Sequence, residues 1–397
     1  MSVTLLGTGG GDTDTLTLEA DKALRKADVI TGAKRLLEGL AEKYDAEMIP
    51  CITSPDILAL IKERQDQDIC VAFSGDSGFY SGTAGLKRLL DEEGIEYRIL
   101  PGISSVQLFS SIIGKPWQDW NLFSAHGAEI NAVNAVMEGK PAFFLTDQKL
   151  TPATLCTQLC DAGLSDLKII VGEDLSYGYA RITEGTAGEI AEKKFSPLSV
   201  MLVDEYVKRR LPGLSDDEYV RGNVPMTKQE VRAVILSKMD ISDNDVIWDV
   251  GAGTGGVSVE MALKAFRGTV YAVECEHEGC MLIEENRKKF GAWNIRIVEG
   301  RAPEALEDLP APDRVFIGGT KGNMAEILDT VIDRNPKAFI CITAIALETL
   351  NQAMDLLLER GLEISVCQVQ VSRGEKTGPY HMMKANNPIY VITGSSK

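Results

Sequence analysis

Residues 246–260 read VIWDVGAGTGGVSVE, and no other stretch limits so tightly what the chain can fold into. An apolar run ends at Asp249, glycines follow at alternate positions (Gly251, Gly253, Gly255), and the apolar spacing then changes to that of a helix. Strand, glycine turn and helix in that order open an α/β unit. Glycine lets the backbone take positive φ and lets a ligand approach the exposed N–H groups at a helix N-terminus. Asp249 adds a carboxylate at the strand end, and such a turn cradles an adenosine-type cofactor.

The residues that follow extend this unit into a sheet. Strand-like runs recur at 269–273, 295–298, 314–317, 338–343, 364–371 and 388–393, giving seven with the first. Helix patterns separate the first six. The last two are joined by residues 372–387 (SRGEKTGPYHMMKANN), too turn-rich for a crossover helix, so they are expected to pair antiparallel. Before the glycine turn, Thr227 and Glu230 have capping-box spacing at the head of a helix.

The first half of the chain repeats the alternation. A strand at 3–6 runs into a glycine loop at 7–12 and then a helix-like segment at 16–26. Further strands fall at 29–31, 69–73 and 97–100, and Ser54 with Pro55 marks a helix start with Ser54 as the cap. The loops at 74–82 and 101–105 are rich in glycine, serine and proline. Ligands of open α/β sheets gather outside the carboxyl ends of the strands, so the loops after Leu6, Phe73 and Leu100 are expected to converge. A second lobe follows, with strands at 122–124, 141–145, 169–172 and 198–204 and a helix at 151–161 carrying Cys156 and Cys160 as core residues. A basic cluster, a Pro-Gly turn and an acidic run between 208 and 223 mark the boundary. The expected organisation is therefore α/β throughout: a two-lobed domain at 1–206, a linker at 207–223 and a seven-stranded Rossmann-like domain at 224–397.

Charge narrows the partners. A net charge of −17 on 397 residues argues against nucleic acid or an anionic membrane surface. No apolar run approaches a membrane span, and the first eleven residues lack the pattern of a signal peptide, so the cytoplasm is expected. The eight cysteines include no C-x-x-C pair and read as reduced thiols. Cys275, His277 and Cys280 cluster in sequence but lack a second ligand pair, so no metal site is expected. A homo-oligomer is expected.

Residues 251–256 satisfy both G-x-G-x-G and G-x-G-x-x-G, and the glycines alone do not separate S-adenosylmethionine from a dinucleotide. Asp249, Glu274 at the end of the second strand, the turn at 300–304 and Gly318-Gly319 after the fourth strand fit the S-adenosylmethionine version. An NAD(P)-dependent oxidoreductase and a non-catalytic ligand-binding protein stand as alternatives.

The segment PMTKQEVRAVILSKMD with DVIWDVGAGTGGVSVEMA resembles the carbon-15-methylating, decarboxylating methyltransferases of cobalamin biosynthesis, from about residue 224 to the end. That resemblance implies donor contacts from Thr227, Gly251, Ala252, Gly253, Thr254, Gly255, Glu274 and Ala302, with Glu274 accepting from both ribose hydroxyls. Residues 1 to about 206 resemble the tetrapyrrole methylase family, on the loop at 7–12, the ADVITG and KRL motifs at 27–36, Gly75-Asp76-Ser77, Pro101-Gly102-Ile103-Ser104-Ser105, Trp117, the SAHG motif at 124–127, Leu145-Thr146-Asp147 and Val171-Gly172-Glu173. This implies a second donor site at Gly7, Gly9, Gly75, Asp76, Ser104, Ser105 and Leu145. The family's first loop carries a proline where this chain has Gly10 or Gly11, and its second reads Gly-Asp-Pro where this chain has Ser77, which implies looser loops. The fused order resembles the bifunctional precorrin-6Y methyltransferases. It implies methylation of carbons 5 and 15 of a precorrin or its cobalt form, with decarboxylation of the ring C acetate, giving precorrin-8 or its cobalt form, and one S-adenosylmethionine per domain.

A reduced tetrapyrrole is polyanionic, and on an acidic protein its carboxylates need local cations. Lys228, Arg232, Arg373 and Lys376 are the candidates in the second domain, and His126 is a candidate substrate contact in the first. The carboxylate that is lost is a special case. A cation gripping it tightly would oppose departure of carbon dioxide, so hydrogen bonds from neutral groups are the expected means of holding it.

Overall fold

The computed structural model describes residues 2–10, 13–125, 130–206 and 210–396. The chain divides into two compact units, residues 1–132 with 140–205 and residues 133–139 with 206–397.

The first unit contains two sheets. In one, β1 (Val3–Gly7), β2 (Val29–Gly32), β3 (Glu47–Pro50), β4 (Ile69–Phe73) and β5 (Tyr97–Leu100) lie in the order β3-β2-β4-β1-β5, all parallel. β1, β2 and β4 are buried along nearly their whole length because helices cover both faces, as a parallel sheet requires. The order places the carboxyl ends of β4, β1 and β5 side by side, which is why the three loops expected to converge do so. The second sheet has the order β6-β7-β10-β8-β9, with β6 (Asn121–Ser124), β7 (Ala142–Leu145), β8 (Lys168–Glu173), β9 (Arg181–Thr186) and β10 (Ser199–Val203). It is mixed, with β6 parallel to β7 and the remaining pairs antiparallel.

The second unit is built on a seven-stranded sheet, as expected. Its strands are β11 (Val246–Val250), β12 (Thr269–Glu274), β13 (Ile295–Glu299), β14 (Arg314–Ile317), β15 (Phe339–Ala344), β16 (Glu363–Val369) and β19 (Ile389–Ser395), in the order β13-β12-β11-β14-β15-β19-β16. β11 is central and buried on both faces: Ile247 packs with the helices Gln229–Met239, Gly256–Lys264 and His277–Phe290, and Trp248 and Val250 pack with Met324–Arg334 and Leu347–Glu359. The chain winds outward from β11 to β13 and then restarts at β14 on the other side, so a crevice opens between the carboxyl ends of β11 and β14. β19 runs antiparallel to both β15 and β16, as the turn-rich connection implied.

Several expectations need correction. Residues 372–387 are not mere turns: β17 (Ser372–Thr377) and β18 (Tyr380–Ala385) form a hairpin whose side chains are largely exposed, so no apolar alternation betrays it. Residues 213–221 are not a linker, because Leu214 and Tyr219 are buried in the core of the second unit and the Tyr219 hydroxyl donates to the Gly256 carbonyl. The helix Ser54–Glu63 is capped by Thr53, one residue earlier than expected, with Asp56 N–H donating to its hydroxyl. Thr227 does not cap its helix. Lys228 holds that position, and the Asp216 carboxylate accepts from Gln229 N–H in place of a local cap.

Candidate functional site

In the second unit the glycine turn and the strand ends enclose a cavity of about 970 Å³. Thr227, Gly251, Ala252, Gly253, Thr254, Glu274, Ala302 and Lys228 all border it, together with Met226, Arg301, Lys321 and Gly318-Gly319. Gly251 has φ of +74°, and a Cβ there would lie 2.6 Å from the Gly319 carbonyl oxygen, so only glycine lets the turns after β11 and β14 approach this closely. Gly255 does not border the cavity. With φ of +76° it caps the helix Gly256–Lys264 and packs against Ile283, which is a structural duty.

Glu274 organises the turn from inside. Its Oε2 accepts from Gly253 N–H at 2.8 Å, and its Oε1 accepts from Cys275 and Glu276 N–H at 2.8 and 2.9 Å. A carboxylate offers about four acceptor positions. Backbone amides use three, and the Cys275 thiol also reaches Oε1 at 3.5 Å, so the open position is on Oε2. Asp249 lies beneath the turn, fully buried. Burial pushes its carboxyl up to about 7, the Glu274 charge adds to this, and the Ser258 hydroxyl bond opposes it. Its Oδ1 is left without a hydrogen-bond partner. A glycine turn at a helix N-terminus, a carboxylate acceptor at Glu274 and a cradle that a Cβ would fill suit an adenosyl ligand.

The four candidate cations part company. Lys228 borders the cavity, and no acid pairs with it among the described residues. Arg232 is fully buried: it donates to Asp216 Oδ1 (2.7 Å), Glu260 Oε1 (3.2 Å) and the carbonyls of Thr227 (2.7 Å) and Leu214 (2.6 Å). It is therefore no substrate contact, because its charge is spent within the core. Arg373, on β17, is committed to Glu230 and Asp216, at 2.5 and 2.8 Å. Burial pushes the Asp216 carboxyl up, but the two guanidinium groups outweigh it and hold it below the usual carboxylate range. Lys376 projects from the hairpin and does not border the cavity.

Cysteine chemistry has little purchase here. Cys280 points to the Glu274 carbonyl while His277 Nδ1 faces Glu299 at 3.1 Å, so these side chains do not gather on one point. Among the described residues no set of three His, Cys, Asp or Glu side chains could hold a metal ion. Burial pushes the Cys156 thiol up to about 12, in keeping with a core role.

In the first unit the loops after β1, β4 and β5 meet backbone to backbone. Gly9 N–H donates to Gly75 O at 3.1 Å and Gly75 N–H returns to Gly9 O at 2.6 Å. A Cβ on Gly102 would lie 2.3 Å from Gly75 O and 2.7 Å from the carbonyl carbon of Gly7, so the contact exists only because these positions are glycine. Asp76 accepts from Gly102 N–H (3.0 Å) and Gly78 N–H (2.9 Å), and Ser104 N–H is capped by Gln107. Ser105 opens the helix Ser105–Ile113, and Leu145 ends β7, packed with that helix's Val106 and Phe109. At the departures from the family pattern, the described residues make contacts of their own. Ser77 is buried and its hydroxyl donates to the Leu100 carbonyl at 3.0 Å, while Gly10 lets Ser176 approach and donate to its carbonyl at 2.5 Å. His126, Gly11 and Asp12 lie outside the described residues.

Sequence reading missed Asn386, Asn387 and Thr343, which border the same cavity as the glycine turn. The signal available was the antiparallel return of the last strand, which brings its beginning to the ligand edge of the sheet.

Comparison with known proteins bears on both units. The tetrapyrrole (corrin/porphyrin) methylases match residues 2–191, and the precorrin methyltransferase domain matches residues 218–394. The chain is 44% identical over 185 residues to a probable cobalt-precorrin-6B C(15)-methyltransferase (decarboxylating) of Pyrobaculum calidifontis, covering 46% of this chain and 95% of that protein. It is 28% identical over 398 residues to the precorrin-6Y C(5,15)-methyltransferase [decarboxylating] of Sinorhizobium sp, covering 98% and 95%. A crystal structure of precorrin-6y C5,15-methyltransferase from Geobacter metallireducens GS-15 is 41% identical, covers 47% of this chain and 98% of its own, and gives a TM-score of 0.45.

Proposed function

The chain belongs to the decarboxylating precorrin methyltransferase family, with a tetrapyrrole methylase domain ahead of the precorrin methyltransferase domain, and from this premise we propose that it methylates carbons 5 and 15 of a precorrin-type tetrapyrrole and decarboxylates its ring C acetate. S-adenosylmethionine is the methyl donor, bound once in each domain. The product is precorrin-8 or its cobalt form.

The observation that carries this reading is the cavity over Gly251 and Glu274, which extends past the donor cradle to Lys228, Ile342 and Asn387 and so has room for an acceptor beside the donor. A sulfonium methyl is already activated, and an electron-rich ring carbon attacks it without a strong base. The chain's own part is alignment. Holding two reactants in near-attack geometry supplies roughly 7–11 kcal/mol of a barrier. Thr227, Gly251–Thr254, Glu274 and Ala302 hold the donor side. Lys228 pairs with a substrate carboxylate, and its position is fixed by Arg232, which grips the adjacent Thr227 carbonyl. In the first unit Gly7, Gly9, Gly75, Asp76, Ser104, Ser105 and Leu145 frame the donor for carbon 5.

The enzyme works in the cytoplasm on a free substrate; no helix among the described residues is long and apolar enough to cross a membrane. Tyr380, Met382 and Met383, exposed on the hairpin, support a homo-oligomer. Calorimetric titration of the full chain with S-adenosylmethionine tests the two-site reading. Two donors per chain are expected, and one or none counts against it.

A further inference from the structure

Among the described residues, β19 is the one strand of the seven-stranded sheet that runs antiparallel to two neighbours, β15 and β16. Its direction has a consequence for the site. Because β15 ends at the ligand edge of the sheet and β19 opposes it in register (Thr343 with Val391, Ala344 with Tyr390), β19 must begin at that edge. The chain enters β19 from the β17–β18 hairpin, so the neck of the hairpin is delivered to the cavity. Asn386 N–H bonds the Val371 carbonyl at 2.9 Å and closes that neck. Arg373, two residues past Val371, ties it to Glu230 and Asp216.

The chemistry at the neck differs from that elsewhere in the cavity. Asn386, Asn387 and Thr343 border it, and their side chains hydrogen-bond to no other group among the described residues. Three cations also border the cavity. Lys321 pairs with Glu276 at 2.5 Å, Arg301 donates to the Lys321 carbonyl, and Lys228 stands at the head of the helix Gln229–Met239. The neck therefore presents neutral hydrogen-bonding groups, amide and hydroxyl, on one stretch of the cavity wall.

We propose that Asn386 and Asn387, with Thr343, form the subsite for the acetate carboxylate that leaves as carbon dioxide, a role that rests on the proposed decarboxylating function. In this step the bond between the acetate methylene and its carboxyl carbon breaks. Its electron pair passes into the conjugated ring, carbon dioxide departs, and a solvent proton later completes the methyl group. Negative charge leaves the carboxylate as the bond breaks, so any group that binds the carboxylate more strongly than the transition state raises the barrier. A full cation does this most, whereas amide and hydroxyl donors orient the group at a smaller cost.

Two variants test the subsite, with mass spectrometry separating methyl gain from carbon dioxide loss. The Asn386→Ala, Asn387→Ala double variant is expected to lose carbon dioxide about tenfold more slowly, the scale of a hydrogen bond to a charged group, and to accumulate methylated product that keeps its carboxyl. Asn387→Lys is expected to lower KM for the tetrapyrrole while also slowing carbon dioxide loss. Both positions are exposed, so folding is spared, and circular dichroism checks this. Carbon dioxide loss that keeps pace with methylation in both variants, against an active wild type, overturns the subsite alone. A wild type that neither adds methyl groups nor releases carbon dioxide overturns the underlying function as well.

Discussion

Arg232 and Asp216, sixteen residues apart, meet at 2.7 Å with side chains 0% and 4% exposed. Around this pair the second unit closes: Glu260 joins Arg232 to the helix that follows the glycine turn, and Arg373 joins Asp216 to the hairpin. One buried guanidinium thus fixes the Thr227–Lys228 wall of the cavity relative to the donor turn.

Replacing Arg232 with Met leaves Asp216 and Glu260 buried without their main partner. Breaking such a pair costs about 3–5 kcal/mol. Calorimetric melting of the full chain is expected to show the transition of the second unit moving to lower temperature, with that of the first unit unchanged. An unshifted profile would mean the cluster contributes little.

The two sites separate by single substitutions. Gly251→Ala forces a Cβ into the Gly319 backbone and into positive φ, and Gly102→Ala does the same to Gly75 and Gly7 without the φ penalty. Each is expected to abolish binding of one donor and leave the other. Product masses then read one methyl gain in each case, with carbon dioxide retained when the Gly251 site is lost.

Lys228 borders the cavity and pairs with no acid among the described residues. Lys228→Gln is expected to raise KM for the tetrapyrrole at carbon 15 by about tenfold, the value of one charge-assisted hydrogen bond, with a smaller change in kcat. Lys376→Ala, on the outer hairpin, is expected to leave both within twofold; the reverse ranking would place the substrate on the hairpin instead.

Asp249 sets a pH dependence. Its carboxyl rises from 3.8 to about 7 on folding, so the folded state holds the extra proton between those values. Stability contributed at low pH is therefore lost as pH rises through this window and stays lost above it, by an amount on the order of 4 kcal/mol. Asp249→Asn keeps the shape and removes the titration. Urea unfolding between pH 4 and pH 8 is expected to show a decline in the wild type that is much shallower in the variant.

Much of this arrangement was legible in the residues themselves. Mostly apolar runs leading into glycine loops placed β1, β4 and β11, as strands covered on both faces require. β3 and β9 escaped because EMIP and RITEGT are edge strands with half-exposed side chains, and the hairpin escaped for the same reason. Arg232 was misread because a lone arginine on a helix looks like surface until Asp216 and Glu260, distant in sequence, close around it. Lys228 borders the cavity whereas Arg232, four residues on, is held by Asp216 and Glu260, since sequence gives residue type but not the partner that uses up its charge. Asn386 and Asn387 look like ordinary turn residues, and only the reversal of β19 gives them a place at the cavity.

The most direct measurement is mass spectrometry of the product formed by the full chain from a precorrin-6Y-type tetrapyrrole, metal-free or carrying cobalt, with S-adenosylmethionine. Gain of two methyl groups and loss of one carbon dioxide is the expected result. An unchanged tetrapyrrole mass from protein that binds the donor and the tetrapyrrole would contradict it.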